Sequence, residues 1–204
     1  MYCVTPGQRL VLASASPRRL ELLGRIGLQF DLAPAHIDES LLPGEKAAEA
    51  AQRLARLKAA ATAVSRAGAA VLAADTLVAL DDMILGKPDD AGQAKKMLGL
   101  LSGREHRVVT GFCLRGEGWE ELGLAETKVR FRSLAPAEIE SYVASGEPLD
   151  KAGAYAVQGR GAALVEWVSG SYTNVVGLPL AACVRLMMRR GIIRPASQPA
   201  PQLN

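Results

Sequence analysis

Residues Leu10 to Leu23 read LVLASASPRRLELL, and the rest of the chain is placed around them. Leu10-Val11-Leu12-Ala13 is an apolar run too short for a helix and long enough for a strand buried on both faces. Ser14-Ala15-Ser16 supplies the turn. Ser16 suits an N-cap and Pro17 the first helical position, so a helix is expected from Pro17 to about Gly27, burying Leu20 and Leu23 with Leu22 and Ile26 beside them. Arg18 and Arg19 then fall in its first turn. That end of a helix is already positive through its unpaired N–H groups and macrodipole, and it favours acidic neighbours. An anion resolves the conflict, because two guanidinium forks, the hydroxyls of Ser14 and Ser16 and free backbone N–H groups together make a phosphate site. The alternative is that both arginines are solvated or paired with an acid such as Glu21.

Downstream, strands alternate with helices. Gln29 to Pro34 reads as a strand, followed by an acidic loop at Asp38-Glu39-Ser40. A long helix is expected from about Glu45 to Ala67, with Ala50, Leu54, Leu57, Ala61 and Val64 on one buried face and Lys58 off that stripe. Ala70 to Ala74 forms a second apolar strand ending in Asp75-Thr76. A carboxylate at the C-terminal end of a buried strand sits where open α/β sheets place their ligands, so Asp75 is a candidate metal ligand or general base, with helix capping as the plainer role.

Leu77 to Leu85 reads as a hairpin turning at Asp81-Asp82 and delivering Gly86-Lys87-Pro88. These residues do not form a Walker A loop: position 81 is Asp and no Ser or Thr follows Lys87. Asp89 and Asp90 can cap a helix through Leu101, burying Ala94, Met97, Leu98 and Leu101. His106 to Leu114 and Leu124 to Arg132 read as strands flanking a turn at Gly116-Glu117-Gly118, and Pro136 opens a helix that buries Ile139, Tyr142 and Val143. The stretch from Gly146 to Tyr155 is a loop rich in turn formers and charges, the kind of segment that carries function. It leads into Gln158-Gly159-Arg160-Gly161, which is no dinucleotide fingerprint because Leu164 stands in place of the third glycine. A strand at Ala162 to Val168, a polar loop at Gly170 to Asn174 and a last helix from Pro179 to about Arg190 complete the order. The expected architecture is α/β, with a mixed sheet flanked by helices.

Composition narrows the classes. At 204 residues the chain suits one domain, residues 1–194, with a polar, proline-containing tail at 195–204 expected to be disordered. A net charge of +3 and only 4% aromatics argue against a nucleic-acid groove, and leave room for a local basic pocket. Three scattered cysteines suit reduced thiols in a cytoplasm. His36 and His106 are too few for a His-rich metal site, no GxSxG elbow surrounds a serine, and no apolar run is long enough to cross a bilayer.

Four separated stretches add up to more. LASASPRRLELL, AADTLVAL followed by GKP, GEPLDKAGAYAVQG and GSYTNVVGLPL resemble, in order, the Maf family of nucleoside triphosphate pyrophosphatases, over nearly the whole chain. The resemblance implies a fold related to the inosine triphosphate pyrophosphatase group, a mixed twisted sheet with two lobes around a deep cleft. It implies hydrolysis of a nucleoside triphosphate to monophosphate and pyrophosphate with a divalent cation, Mg²⁺, Mn²⁺ or Co²⁺. By matched motif it makes Ser14, Arg18, Arg19, Lys58 and Lys87 phosphate contacts, Glu39 and Asp75 metal contacts, Asp75 the catalytic acid, and Arg18, Thr76 and Gln158 the determinants of base choice. The family's pyrimidine branch, acting on dTTP and UTP, resembles this chain in Thr76 and Gln158, whereas a 7-methyl-GTP branch has Gln and Glu there. A glutamine amide offers one donor and one acceptor, matching O4 and N3–H of uracil or thymine, and after a flip it also suits CTP. The family name refers to inhibition of septum formation, so a nucleotide-binding regulator of that process is the alternative of a different class. A homodimer is the expected assembly.

Overall fold

The computed structural model describes residues 1–196. Its main sheet has seven strands. The first of these, β2 (Leu10–Leu12), is buried along its whole length and pairs in parallel with both β3 (Asp31–Leu32) and β4 (Ala70–Leu80). β4 then runs antiparallel to β6 (Glu105–Gly116), β6 to β7 (Trp119–Phe131) and β7 to β8 (Val165–Ser169), while the short β5 (Met83–Leu85) folds back on the end of β4. The sheet is mixed, as the sequence pattern implied. A separate two-stranded sheet joins β1 (Tyr2–Val4) to β9 (Ile193–Pro195).

The helices are α1 (Pro17–Arg25), α2 (Ala47–Ala63), α3 (Ala91–Leu101), α4 (Pro136–Ala144), α5 (Tyr172–Val176) and α6 (Leu180–Arg189). α2 lies on one face of the central strands, where Ala55 and Ala59 meet Val11, Val71 and Ala73, and Ala50 and Ala51 meet Leu77 and Val109. On the other face there are two cores. One joins Leu72 and Ala74 of β4 to Leu22 and Leu23 of α1 and to Cys183 and Met187 of α6. The second joins Val78 and Leu80 of β4 to Leu98 of α3, Tyr142 of α4, Phe131 and Tyr155. These cores are the two lobes, and β4 runs through both.

That continuity corrects the sequence reading. β4 does not end at Asp75; it has 11 residues, because β6 pairs with it from Val71 to Ala79. What ends is its other neighbour. β2 pairs with β4 only to Leu72, and β5 pairs with it only from Val78 onward, so the intervening edge of β4 has no strand beside it. A gap in a sheet edge exposes backbone and side chains from both faces at once, and the cleft opens there.

Other differences are local. The strand expected over Ala162 to Val168 starts only at Val165, as β8, after a 3₁₀ segment at Arg160–Leu164, and the expected polar loop contains the start of the short α5. The expected tail loses its first residue to structure, since Pro195 closes β9 opposite Tyr2. Residues 197–204 of that tail lie outside the described residues.

Candidate functional site

A cavity of about 610 Å³ fills the gap beside β4, and every residue named above as a site residue borders it. At its floor, consecutive residues of β4 point to opposite faces of the sheet. Asp75 faces α2 and Thr76 faces α1, and each meets a cation from the helix on its side.

On the α2 face, Lys58 Nζ donates to Asp75 Oδ1 at 2.6 Å and lies 3.0 Å from Glu39 Oε1. The Lys58 and Asp75 side chains are 9% and 8% exposed, so this ion pair is held away from water, while Glu39 reaches in from the open side at 51%. The sequence reading put Lys58 off the buried stripe of α2, and the structure reverses that. The buried positions are Ala47, Ala50, Ala51, Leu54, Ala55, Lys58, Ala59 and Thr62, with Leu57 and Val64 exposed. The stripe is built from alanines, which let the helix lie close to the sheet, and Lys58 continues it because Asp75 receives its charge.

On the α1 face, Arg19 is buried in the position expected of an apolar residue, and Leu20 is exposed instead. Its Nε donates to Gly177 O at 2.7 Å, Nη1 to Ser14 Oγ at 3.2 Å and Nη2 to Thr76 Oγ1 at 3.1 Å. Thr76 Oγ1 is also 2.9 Å from Thr110 Oγ1 and 3.3 Å from Gly177 O. The Arg19 fork therefore ties β2, β4 and the end of α5 together. Burial pushes its guanidinium below its ordinary value, against the pull of nearby Asp75. Ser16 stands at the N-cap without a side-chain cap; its N–H donates to Ser14 Oγ at 3.2 Å. No acidic side chain occupies the first turn of α1, and Arg18 reaches across the cavity mouth to Asp150 at 3.8 Å.

The remaining wall comes from the loop after α4. Gln158 is exposed at the rim, as is Lys87 after β5. Lys151, which sequence reasoning did not single out, also borders the cavity, donates to Glu147 O at 3.1 Å and pairs with Asp150. Its place in a loop of turn residues and charges was the only signal available.

Glu39 and Asp75 suit a divalent cation by their chemistry. Both carboxylates converge on one ammonium group, so they can share a cation, and a hard cation of this kind takes one or two protein carboxylates and completes its shell with water and phosphate oxygens. Among the described residues no cluster of three His, Cys, Asp or Glu side chains is arranged to hold a metal on its own. No helix among them is long and apolar enough to cross a membrane.

A dTTP/UTP pyrophosphatase from Anaeromyxobacter dehalogenans (strain 2CP-C) is 52% identical over 195 residues, covering 94% of this chain and 98% of the relative. Another, from Myxococcus xanthus (strain DK1622), is 53% identical over 186 residues, covering 91% and 94%. Among solved structures, a HAM1 protein from Coxiella burnetii aligns over 89% of this chain and 99% of its own, with 18% identity and a TM-score of 0.49. The Maf-like protein family matches residues 9–190, and the chain belongs to that family.

Proposed function

We propose that the protein hydrolyses dTTP and UTP to the monophosphate and pyrophosphate. The observation that carries this reading is the convergence, in one cavity, of a buried Lys58–Asp75 pair, an open helix N-terminus flanked by Arg18, and the Gln158 rim. The names of relatives that share half of its residues support the same substrate pair.

In this reaction a water oxygen bonds to the α-phosphorus, the α-phosphorus–oxygen bond toward the β-phosphate breaks, and pyrophosphate leaves. Asp75 accepts the proton of the water, and Lys58 fixes the orientation of that carboxylate. Arg18, Lys87, Ser14 and the N–H groups opening α1 hold the phosphates, where positive groups stabilise the charge that builds on the oxygens. Glu39 and Asp75 would hold a divalent cation, Mg²⁺, Mn²⁺ or Co²⁺, which would further neutralise phosphate charge. Arg19 holds the floor through three of its five N–H donors, to Ser14, Thr76 and Gly177, and the remaining N–H on each Nη is left for a phosphate oxygen. Thr76 acts through Arg19, because its hydroxyl accepts from Nη2 and is otherwise engaged with Thr110 Oγ1 and Gly177 O. Gln158 reads the base by pairing its amide with O4 and N3–H of uracil or thymine.

Pyrophosphate release from UTP, dTTP, CTP, GTP and 7-methyl-GTP, with Mg²⁺ or Mn²⁺, tests the reading. UTP and dTTP should lead, and Asp75→Asn should lower kcat by at least ~100-fold, the scale of losing a general base. Turnover of 7-methyl-GTP alone would remove the base assignment, and UTP binding without any turnover would remove the enzyme assignment.

A further inference from the structure

The glycines at 159 and 161 belong to no nucleotide fingerprint, and the structure gives them another use. A Cβ on Gly159 would lie 2.2 Å from Glu147 Oε2, and one on Gly161 would lie 2.6 Å from both Tyr142 Oη and Ala156 O. Gly159 has φ −105°, so the left-handed region does not require glycine there. Space does. The backbone just after Gln158 is bare at two positions so that two side chains can reach it.

Those side chains form a closed set of bonds. Glu147 Oε2 accepts from Arg160 N at 3.0 Å, and Oε1 accepts from Gly161 N at 3.0 Å and from Tyr142 Oη at 2.8 Å. Tyr142 Oη in turn accepts from Ala156 N at 3.1 Å. Three backbone N–H groups, two residues before Gln158 and two and three residues after it, thus end on one carboxylate–phenol pair. Burial alone would raise the Glu147 carboxyl, but the donors from Gly161, Arg160 and Tyr142 outweigh it and hold it below its ordinary value. Neither Glu147 nor Tyr142 borders the cavity.

We propose that Glu147 and Tyr142 are positioning residues for base selectivity: they clamp the backbone of residues 156–161 so that the Gln158 amide meets the pyrimidine edge in one orientation. The inference rests on the reading of Gln158 as the base contact. A glutamine on a loosely held loop can turn its amide or swing away, and it then accepts O4/N3–H and N4–H₂/N3 edges with similar ease. The clamp removes that freedom before substrate arrives. It holds no phosphate and moves no proton, so its loss should appear in discrimination between bases rather than in the chemical step.

The test is a mutant cycle on the full chain, with kcat and KM measured for UTP and CTP. Tyr142→Phe removes the link to Ala156 and one donor to Glu147 while preserving the ring, and Gly159→Ala drives a methyl group against the Glu147 carboxylate. Each should raise KM for UTP several-fold, leave kcat within about twofold, and lower the UTP/CTP ratio of kcat/KM by ~5–20-fold, the size of one or two lost constraints. In a Gln158→Ala background the same changes should leave the ratio unmoved, because the residue they position is gone. Amide exchange at residues 156–161 should quicken in both single variants. An unchanged ratio in Tyr142→Phe and Gly159→Ala, where Gln158→Ala does change it, overturns the clamp and leaves the base reading standing. A ratio indifferent to Gln158→Ala overturns both.

Discussion

Asp75 and Thr76 show how much one peptide unit can organise: adjacent residues face opposite sides of a sheet, and a gap in its edge opens both to the same cavity. The cations that answer them, Lys58 and Arg19, occupy buried stripes of their helices, where a hydrophobicity pattern expects apolar residues. Sequence periodicity therefore found the helices and misplaced the cations, because a charge becomes tolerable in a core only when a partner arrives from elsewhere in the chain. His106 is the opposite case. It is 2% exposed, lies edge-on to Phe131 and bonds through Nε2 to Tyr155 Oη at 2.8 Å, in the residue just before the clamped loop. Burial pulls its ordinary value of 6.5 down to about 4. The unfolded chain therefore binds this proton more readily than the folded one between those values, and stability present above pH 6.5 is lost as pH falls toward 4. The loss is on the order of 3 kcal/mol. Denaturant unfolding of wild type and His106→Gln at pH 7 and pH 4.5 checks it: the wild type should lose more stability over that interval, and equal losses would exclude His106 as the cause.

At the scale of elements, the catalytic geometry depends on how closely α2 lies against β6. Gly111 stands directly across from Asp75 in the β4–β6 register, on the face that α2 covers. A Cβ there would come within 2.3 Å of the carbonyl carbon and oxygen of Ala51 and 2.4 Å of the nitrogen of Gln52. These are backbone atoms, so the helix itself would have to move. Lys58 lies two turns further along the same helix. Gly111→Ala is expected to destabilise the fold by roughly 1–3 kcal/mol, as overpacking does, and to lower kcat by displacing Lys58 from Asp75. Gly99→Ala on the exposed face of α3, where no atom outside the helix's own backbone lies within 4 Å, is the control and should be neutral or slightly stabilising. A folded Gly111→Ala protein with the kcat of the wild type would show that α2 tolerates the shift. The sequence could announce Gly111 only as a glycine inside a strand. Its reason, a helix backbone 60 residues earlier, is a tertiary fact, and so is the continuation of β4 past Asp75, which β6 decides. By contrast, β2, the start of α1, the hairpin at Asp81-Asp82 and α3 capped by Asp90 were legible, because caps, turns and local periodicity define them.

For the whole molecule, the alternation of strands and helices was enough to expect a mixed sheet, but nothing local could reveal β1 and β9. Two strands of three residues, joined across nearly the full chain, carry no turn and too little pattern to stand out. Together they close the base of the lobe that carries α1 and α6. Tyr2 pairs with Pro195 and Val4 with Ile193, Thr5 N donates to Ile192 O at 2.9 Å, and Tyr2 N donates to Ile26 O at 3.0 Å. Tyr2 and Val4 pack on the same core as Leu23 and Met187, and none of these residues borders the cavity. The arrangement separates stability from catalysis. A chain lacking residues 1–4 leaves β9 unpaired and uncovers Ile193, and burial of that much apolar surface is worth about 2–3 kcal/mol, which for a chain of this size lowers Tm by roughly 5–10 °C. Because α1 is still held at its N-terminus by the Arg19 fork, to Ser14, Thr76 and Gly177, kcat and KM for UTP at 25 °C should remain within about twofold of the intact protein. Scanning calorimetry beside steady-state kinetics separates the two effects. A truncated chain with unchanged Tm would mean the terminal sheet contributes little to the lobe, and one that keeps its Tm while losing activity would mean the terminal strands reach the cleft by a route other than the core.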